Sequence, residues 1–314
     1  MTKRTLKSTT AWCIAAVLFF TSFASMAAQD RVGSSKQSRG GGGITVASLD
    51  TGVTPNDLAE AIAGVGVTVS NVSYTGAQTA AGTFANGGSS IALDEGVVLS
   101  SGNANDVIGP NSLPNVTTAQ GTPGDADLDG LSGFVTEDAA ILEFDIVPTS
   151  DTVFIQYVFA SDEYNEFVGS TFNDVFAFFI NGTNCAVVDT DPVSINTINN
   201  GNPVGSGGPN SNLYRNNEAG TINTEMDGLT TLLTCQAAVN SGVTNTVKLA
   251  IADASDAEFD SNVFIQANGV TTQPPPPPVP GEFRSVPLLD RSGLLVLALL
   301  MASLGAFMVI RRGQ

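Results

Sequence analysis

Ile141-Leu142-Glu143-Phe144-Asp145-Ile146-Val147 decides the fold class. Apolar and acidic residues alternate in it, so an extended chain puts Leu142, Phe144 and Ile146 on one face and Glu143 and Asp145 on the other. That is the pattern of a strand buried on one side. Downstream, residues 153–160 (VFIQYVFA) and 175–180 (VFAFFI) are short, apolar and aromatic, and read as strands buried on both faces. Residues 247–252 and 262–267 look similar, and Gly, Asn, Ser, Thr and Asp fill the gaps, as turns require. Upstream, Thr54-Pro55-Asn56-Asp57 is a helix start, with Thr as N-cap, Pro at the first helical position and Asp at the third. That helix is predicted to run to about Ala63, with Leu58 and Ile62 on one face. The expectation is an all-β fold, a β-sandwich or jelly-roll-like, with one short N-terminal helix.

Charge is the second strong signal. Between Ile44 and Thr272 the chain carries 27 Asp and Glu residues against two basic ones, Arg215 and Lys248, and it has no histidine. Carboxylates packed this densely repel one another and oppose compaction. High salt offsets that repulsion, and bound metal cations offset it better. An acidic surface also repels phosphates, which argues against nucleic acid as a partner. The lack of histidine excludes Ser-His-Asp triads, Cys-His pairs and histidine-ligated zinc.

The ends read as targeting elements. Lys3, Arg4 and Lys7, an apolar run from Ala11 to Phe20 and the small residues Ser25-Met26-Ala27-Ala28 make residues 1–28 a secretory signal peptide. A flexible Gly-rich segment, 29–43, leads into one large domain, 44–272. A Pro-rich linker follows, 273–285, whose prolines favour a stiff extended spacer. Residues 293–310 are an uncharged apolar stretch of bilayer-spanning length, closed by Arg311-Arg312, the mark of a cytoplasmic stop. The inner membrane is therefore an expected partner. In an exported chain the two cysteines left after signal cleavage, Cys185 and Cys235, are expected to pair, the alternative being two buried thiols.

Three acidic segments are candidate cation sites. Asp125-Ala126-Asp127-Leu128-Asp129-Gly130 places alternate carboxylates on one side of a tight loop, the oxygen-rich arrangement that Ca²⁺ prefers, with the Leu131 carbonyl and Glu137 as further ligands. The next segment does not read as a helix, so this is not an EF-hand. Asp162 and Glu163, with Asp174 nearby, follow one predicted strand; Asp253, Asp256 and Asp260 follow another. Loops at one end of a sandwich converge, so these two segments are read as a second cation site or a ligand rim. Tyr164 and Phe167 beside them suit a glycan-contacting patch, although aromatics next to strands are more often core. Paired acids also allow glycoside hydrolysis, but with so many acids that signal has no specificity.

Several stretches carry a family resemblance. Gly124-Asp125-Ala126-Asp127-Leu128-Asp129, Asp138-Ala139-Ala140-Ile141-Leu142-Glu143-Phe144-Asp145, the long run from Tyr157 to Val168 (YVFASDEYNEFV), Phe172-Asn173-Asp174-Val175-Phe176 and Leu249-Ala250-Ile251-Ala252-Asp253 follow in this order. Together with 97–103 and 192–196, they resemble the bacterial choice-of-anchor L domain. The resemblance implies an extracellular domain attached through a variable C-terminal signal, with no activity and no catalytic residues to transfer. The tail is similar to the IPTL-type sorting signal of Gram-negative bacteria: Pro287, Leu289 and Gly293 match, Val286 is conservative, and Leu288 and Ser292 depart. That likeness implies transient anchoring and processing by an exosortase-like enzyme. The reading is an exported, Ca²⁺-stabilised, non-enzymatic module that binds glycan, matrix or a cell-surface protein. A carboxylate-dependent glycosidase and a structural matrix component are the alternatives.

Overall fold

Leu142, Phe144 and Ile146 are buried, and Glu143 is exposed, in the computed structural model of the chain, which describes residues 43–275. In chain order the strands are β1 (Thr45–Ser48), β2 (Val67–Thr75), β3 (Ala81–Ala85), β4 (Glu95–Ser100), β5 (Thr136–Pro148), β6 (Thr152–Ser161) and β7 (Val175–Ile180). Three short strands follow: β8 (Thr183–Asn184), β9 (Val187–Val188) and β10 (Asp191–Pro192). The rest are β11 (Tyr214–Asn216), β12 (Gly228–Thr230), β13 (Leu233–Ala238), β14 (Asn245–Ala254) and β15 (Ser261–Gln266). Two short α-helices accompany them, α1 (Pro55–Ile62) and α2 (Ala126–Ser132).

The strands form two main antiparallel sheets, sandwich-like. One has eight strands in the order β1-β3-β4-β15-β6-β12-β11, with β13 also on β6; the other has five, β2-β5-β14-β7-β8. β6 is bordered by β15 on one side and, on the other, by β13 along its first part and β12 at its end. One core fills the space between the sheets. Val97, Leu99, Tyr157 and Phe159 of the larger sheet share it with Phe144, Phe176, Phe178 and Leu249 of the smaller.

The apolar runs that break strict alternation are explained by second layers outside the sheets. On the outer face of the larger sheet, Val98, Val158 and Phe264 pack against Ile91, Val107 and Met226 from loops. On the outer face of the smaller, Leu128 of α2 lies over Ala139, Ala177 and Ala250, whose small side chains let the helix approach. In β6 only the second half is covered on both faces; its first half alternates, with Phe154 and Gln156 half-buried.

The helix at Thr54 forms as predicted. Thr54 accepts from the Asp57 N–H at 3.3 Å and Asp57 accepts from the Thr54 N–H at 2.8 Å, a reciprocal cap, while Leu58 and Ile62 are fully buried. α2 is a correction: residues 126–132 are a helix where a tight acidic loop was expected. Cys185 and Cys235 are bonded, Cα–Cα 5.3 Å. Cys235 belongs to β13, and Cys185 follows β8, so the bridge ties the larger sheet to the smaller.

The expected signal peptide, most of the Gly-rich segment, nearly all of the Pro-rich linker and the whole sorting signal with its membrane stretch lie outside the described residues. Among the described residues no helix is long and apolar enough to cross a membrane. The chain divides into two units, Met1–Gln273 and Pro274–Gln314, and the described domain lies in the first.

Candidate functional site

Antiparallel pairing brings the end of one strand beside the start of the next. Ser161, the last residue of β6, pairs with Ser261, the first of β15; Ala252, near the end of β14, pairs with Val175, the first of β7. Acids that follow β6, precede β7, close β14 or precede β15 therefore meet at one end of the sandwich. Asp162, Glu163, Asp174, Asp253 and Asp260 are the residues so placed, and each is at most 1% exposed.

Three of them are tied to backbone. Asp162 accepts from the N–H groups of Val116 and Asp227, both at 3.1 Å. Asp260 accepts from the Thr118 N–H at 3.0 and 3.1 Å. Asp174 accepts from the Ala254 N–H at 2.9 Å with one oxygen and from the Ser261 hydroxyl at 2.7 Å with the other. These bonds hold the 116–118 loop and the β14–β15 connection against the strand ends. The packing is tight enough that a Cβ at Gly102 would sit 1.7 Å from an Asp260 carboxylate oxygen.

Two carboxylates are not satisfied this way. Both oxygens of Asp253, and Oε2 of Glu163, are fully enclosed and accept no hydrogen bond. The Asp174 carboxyl and the Ser101 hydroxyl both lie beside Asp253, the first favouring its protonated form and the second its charged form, and the Ser101 hydroxyl also donates to the Ser261 carbonyl at 3.3 Å.

The electrostatics follow from this crowding. Burial, then the neighbouring charges of Asp174 and Asp256, pushes Glu163 up to about 11. Burial lifts Asp174 to about 7 against the pull of its Ser261 and Ala254 hydrogen bonds. Asp253 is raised well above the usual range by burial, then by Asp174 and Asp260; Asp162 and Asp260 are raised too, burial again leading. No basic side chain among the described residues relieves the cluster. Lys248 pairs with Asp125 and Asp127, and Arg215 donates to the Ser90 carbonyl at 2.9 Å.

The Asp125–Asp129 segment is built differently from its expectation. Asp125 caps α2, accepting from the N–H groups of Asp127 and Leu128. Gly133 ends that helix in the left-handed conformation, φ 81°. Lys248 Nζ lies 2.7 Å from both the Asp125 and Asp127 carboxylates, and Asp129 accepts from the N–H and hydroxyl of Thr136, each at 2.7 Å. Each of the three carboxylates thus has a donor from the chain. The Leu131 carbonyl lies within the helix, and Glu137 is exposed and in register with Asp253 instead.

Of the remaining predicted residues, Asp256 is partly exposed at the rim and accepts from the Glu258 N–H at 3.3 Å. Tyr164 is core, not a glycan contact: it is fully buried and its hydroxyl donates to the Ile198 carbonyl at 2.7 Å. Phe167 is half-buried and packs against Phe172 and Phe259, ring centroids 5.3 and 4.9 Å away. Among the described residues no group of three or more Asp, Glu or Cys side chains is gathered closely enough to hold a metal by itself.

Asp227 was missed from sequence. It is buried beside Asn111, Glu166 and Glu218 in a cleft of about 260 Å³, and burial raises it to about 7 before the Asn111 hydrogen bond and the acidic neighbours act. Residues 111 and 166 come from two other loops and residues 218 and 227 from the two ends of the β11–β12 connection, so no local motif joins the four.

The sequence profile of the choice-of-anchor L domain matches residues 45–271. No curated protein matches the chain. Among solved structures, a β-glucosidase from Kluyveromyces marxianus in complex with glucose is similar at 12% identity and a TM-score of 0.20. The match covers 41% of this chain, and the chain spans about 10% of that protein's length.

Proposed function

Because the chain belongs to the choice-of-anchor L domain family, we propose that it is an exported, Ca²⁺-stabilised, non-enzymatic surface module of a Gram-negative bacterium that binds glycan, matrix or a cell-surface protein. The observation that carries this is the set of buried carboxylates at one end of the sandwich, with no basic side chain of the described residues among them. Buried charges persist only when paired or neutralised. Here the neutraliser is an external cation or a proton, and an extracellular domain meets millimolar calcium.

The half-buried rings of Phe167, Phe172 and Phe259, edge-on or tilted to one another, lie near the exposed acids Glu166 and Glu258 and form an apolar patch with polar surroundings, which suits contact with a sugar. The C-terminal stretch supplies the transient inner-membrane anchor and the signal for an exosortase-like enzyme. The inter-sheet disulfide fits an oxidising destination.

The test is thermal unfolding of the full chain, purified in detergent, with millimolar Ca²⁺ and with chelator. At free Ca²⁺ 100-fold above Kd the gain is about 2.7 kcal/mol, a rise of roughly 5–10 °C for a domain of this size. Identical melts with and without chelator overturn the calcium part. Polysaccharide turnover that disappears in Asp227→Asn would replace the non-enzymatic part with a hydrolase.

A further inference from the structure

Resting on that calcium reading, we propose that the ion sits between the carboxylates of Asp174 and Asp253 and clamps the two sheets at the end of the sandwich where β6 and β14 finish.

Asp253 is what points to a ligand. It is 1% exposed, both its oxygens are enclosed and without a hydrogen bond, and it faces Asp174 and Asp260. A buried carboxylate with no donor loses its hydration without replacement, so Asp253 needs either a proton, which the Asp174 carboxyl is close enough to share, or a cation. Asp174 is the acid that acts most strongly on it, and Glu163, whose Oε2 is also enclosed and unbonded, feels Asp174 in turn. Two residues with orphaned oxygens thus neighbour Asp174, and positive charge is missing there.

The chemistry selects a hard divalent cation. The cluster contains only oxygen donors, and Ca²⁺ accepts six to eight of them, drawn from carboxylates, carbonyls, hydroxyls and water. Among the described residues no three acids are gathered into a cage, and the proposed site is two carboxylates completed by neutral oxygens. The hydroxyls of Ser101 and Ser261 are at hand: Ser261 donates to Asp174, and Ser101 neighbours Asp253.

Placement gives the ion its role. Asp174 and Asp253 belong to the five-stranded sheet, at the start of β7 and in β14; Ser261 begins β15 and Ser101 follows β4, both of the eight-stranded sheet. Cys235 pairs with Ile155 in the first part of β6, away from Ser161 at its end. The disulfide would hold the sandwich near the middle of its central strands, and the ion at the end where β6 and β14 finish.

The experiment compares bound calcium and chelator-dependent melting in the wild-type full chain, Asp253→Asn, Asp174→Asn and Asp127→Asn. The expectation is one retained Ca²⁺ per wild-type and Asp127→Asn chain, and affinity weaker by on the order of 100-fold in the other two, given how steeply ligand charge sets Ca²⁺ affinity. Asp253→Asn discriminates by sign. If an ion is held, the variant melts lower than wild type in calcium and ignores chelator. If Asp253 is an unpaired acid with no ion, its removal leaves the melt unchanged or higher. Full chelator sensitivity in Asp253→Asn overturns the site while leaving the calcium reading intact. Insensitivity of the wild type overturns both. Should the Asp253→Asn chain not fold, the anomalous signal of Tb³⁺ in crystals of the wild type decides: a peak between Asp174 and Asp253 supports the site, and a peak anywhere else overturns it.

Discussion

At the residue scale, this domain separates acids with partners from acids without. Asp125, Asp127 and Asp129 looked in sequence like the sharpest cation motif, and each turns out to have a donor from the chain. Lys248, one of the domain's two basic residues, is used there; its pairing with Asp125 and Asp127 raises it, against burial as the largest opposing effect. Asp227 shows how much an unremarkable acid can matter. Burial first, and then the charges of Glu166, Glu218 and Glu225 against the Asn111 hydrogen bond, hold its carboxyl at about 7, against an ordinary 3.8. Because the folded value is the higher one, protonated Asp227 favours the folded state. Its contribution is complete below about pH 4 and is lost as pH rises towards 7. Asp227→Asn is therefore expected to flatten the part of the stability profile between pH 4 and 7 and to melt higher than wild type at pH 8. Urea midpoints across that range, in excess calcium, check it, and an unchanged slope would count against the assignment.

At the element scale, the strands of the core were legible because their periodicity reports burial directly. β5, β7, β14 and β15 stand where alternation or apolar runs put them. β2 was not, although Val67, Val69, Val72 and Tyr74 all pack on the core. Its period of two breaks at Asn71, φ 53°, where a bulge shifts the register against β5 and returns the later residues inward. α2 was misread for a different reason. A D-x-D-x-D-G string satisfies both a cation loop and a capped helix start. What decides is Leu128, fully buried on the alanine-lined outer face of the smaller sheet, a contact no local pattern contains. Leu128→Ala should cost about 2–4 kcal/mol and expose α2 first. Hydrogen exchange would show early loss of protection at residues 126–133 while β5 and β14 stay protected. Simultaneous loss in all three would mean that α2 is integral to the core.

At the scale of the whole domain, a disulfide joins the sheets near the middle of their strands, and in our proposal an ion joins them again at one end. The Cys185–Cys235 bridge closes a separation of 50 residues, worth about 4 kcal/mol in the chain-entropy treatment. The Cys185→Ser, Cys235→Ser double variant should melt lower by roughly 10 °C and depend more strongly on calcium, since one of two clamps is gone. A melt within a degree of wild type would show that packing alone holds the sheets together. The sequence by itself determined the β class, the capped first helix, the family, the acid excess and the segments in which the acids lie, because periodicity, capping and charge are local or compositional properties. Only the tertiary structure decided which acids are answered by the chain and which are left over. Antiparallel pairing carries Asp162, Glu163, Asp174, Asp253 and Asp260 to one end and buries them, while the domain's few cations are committed elsewhere. Desolvation depends on what surrounds a side chain in space, which no linear pattern encodes.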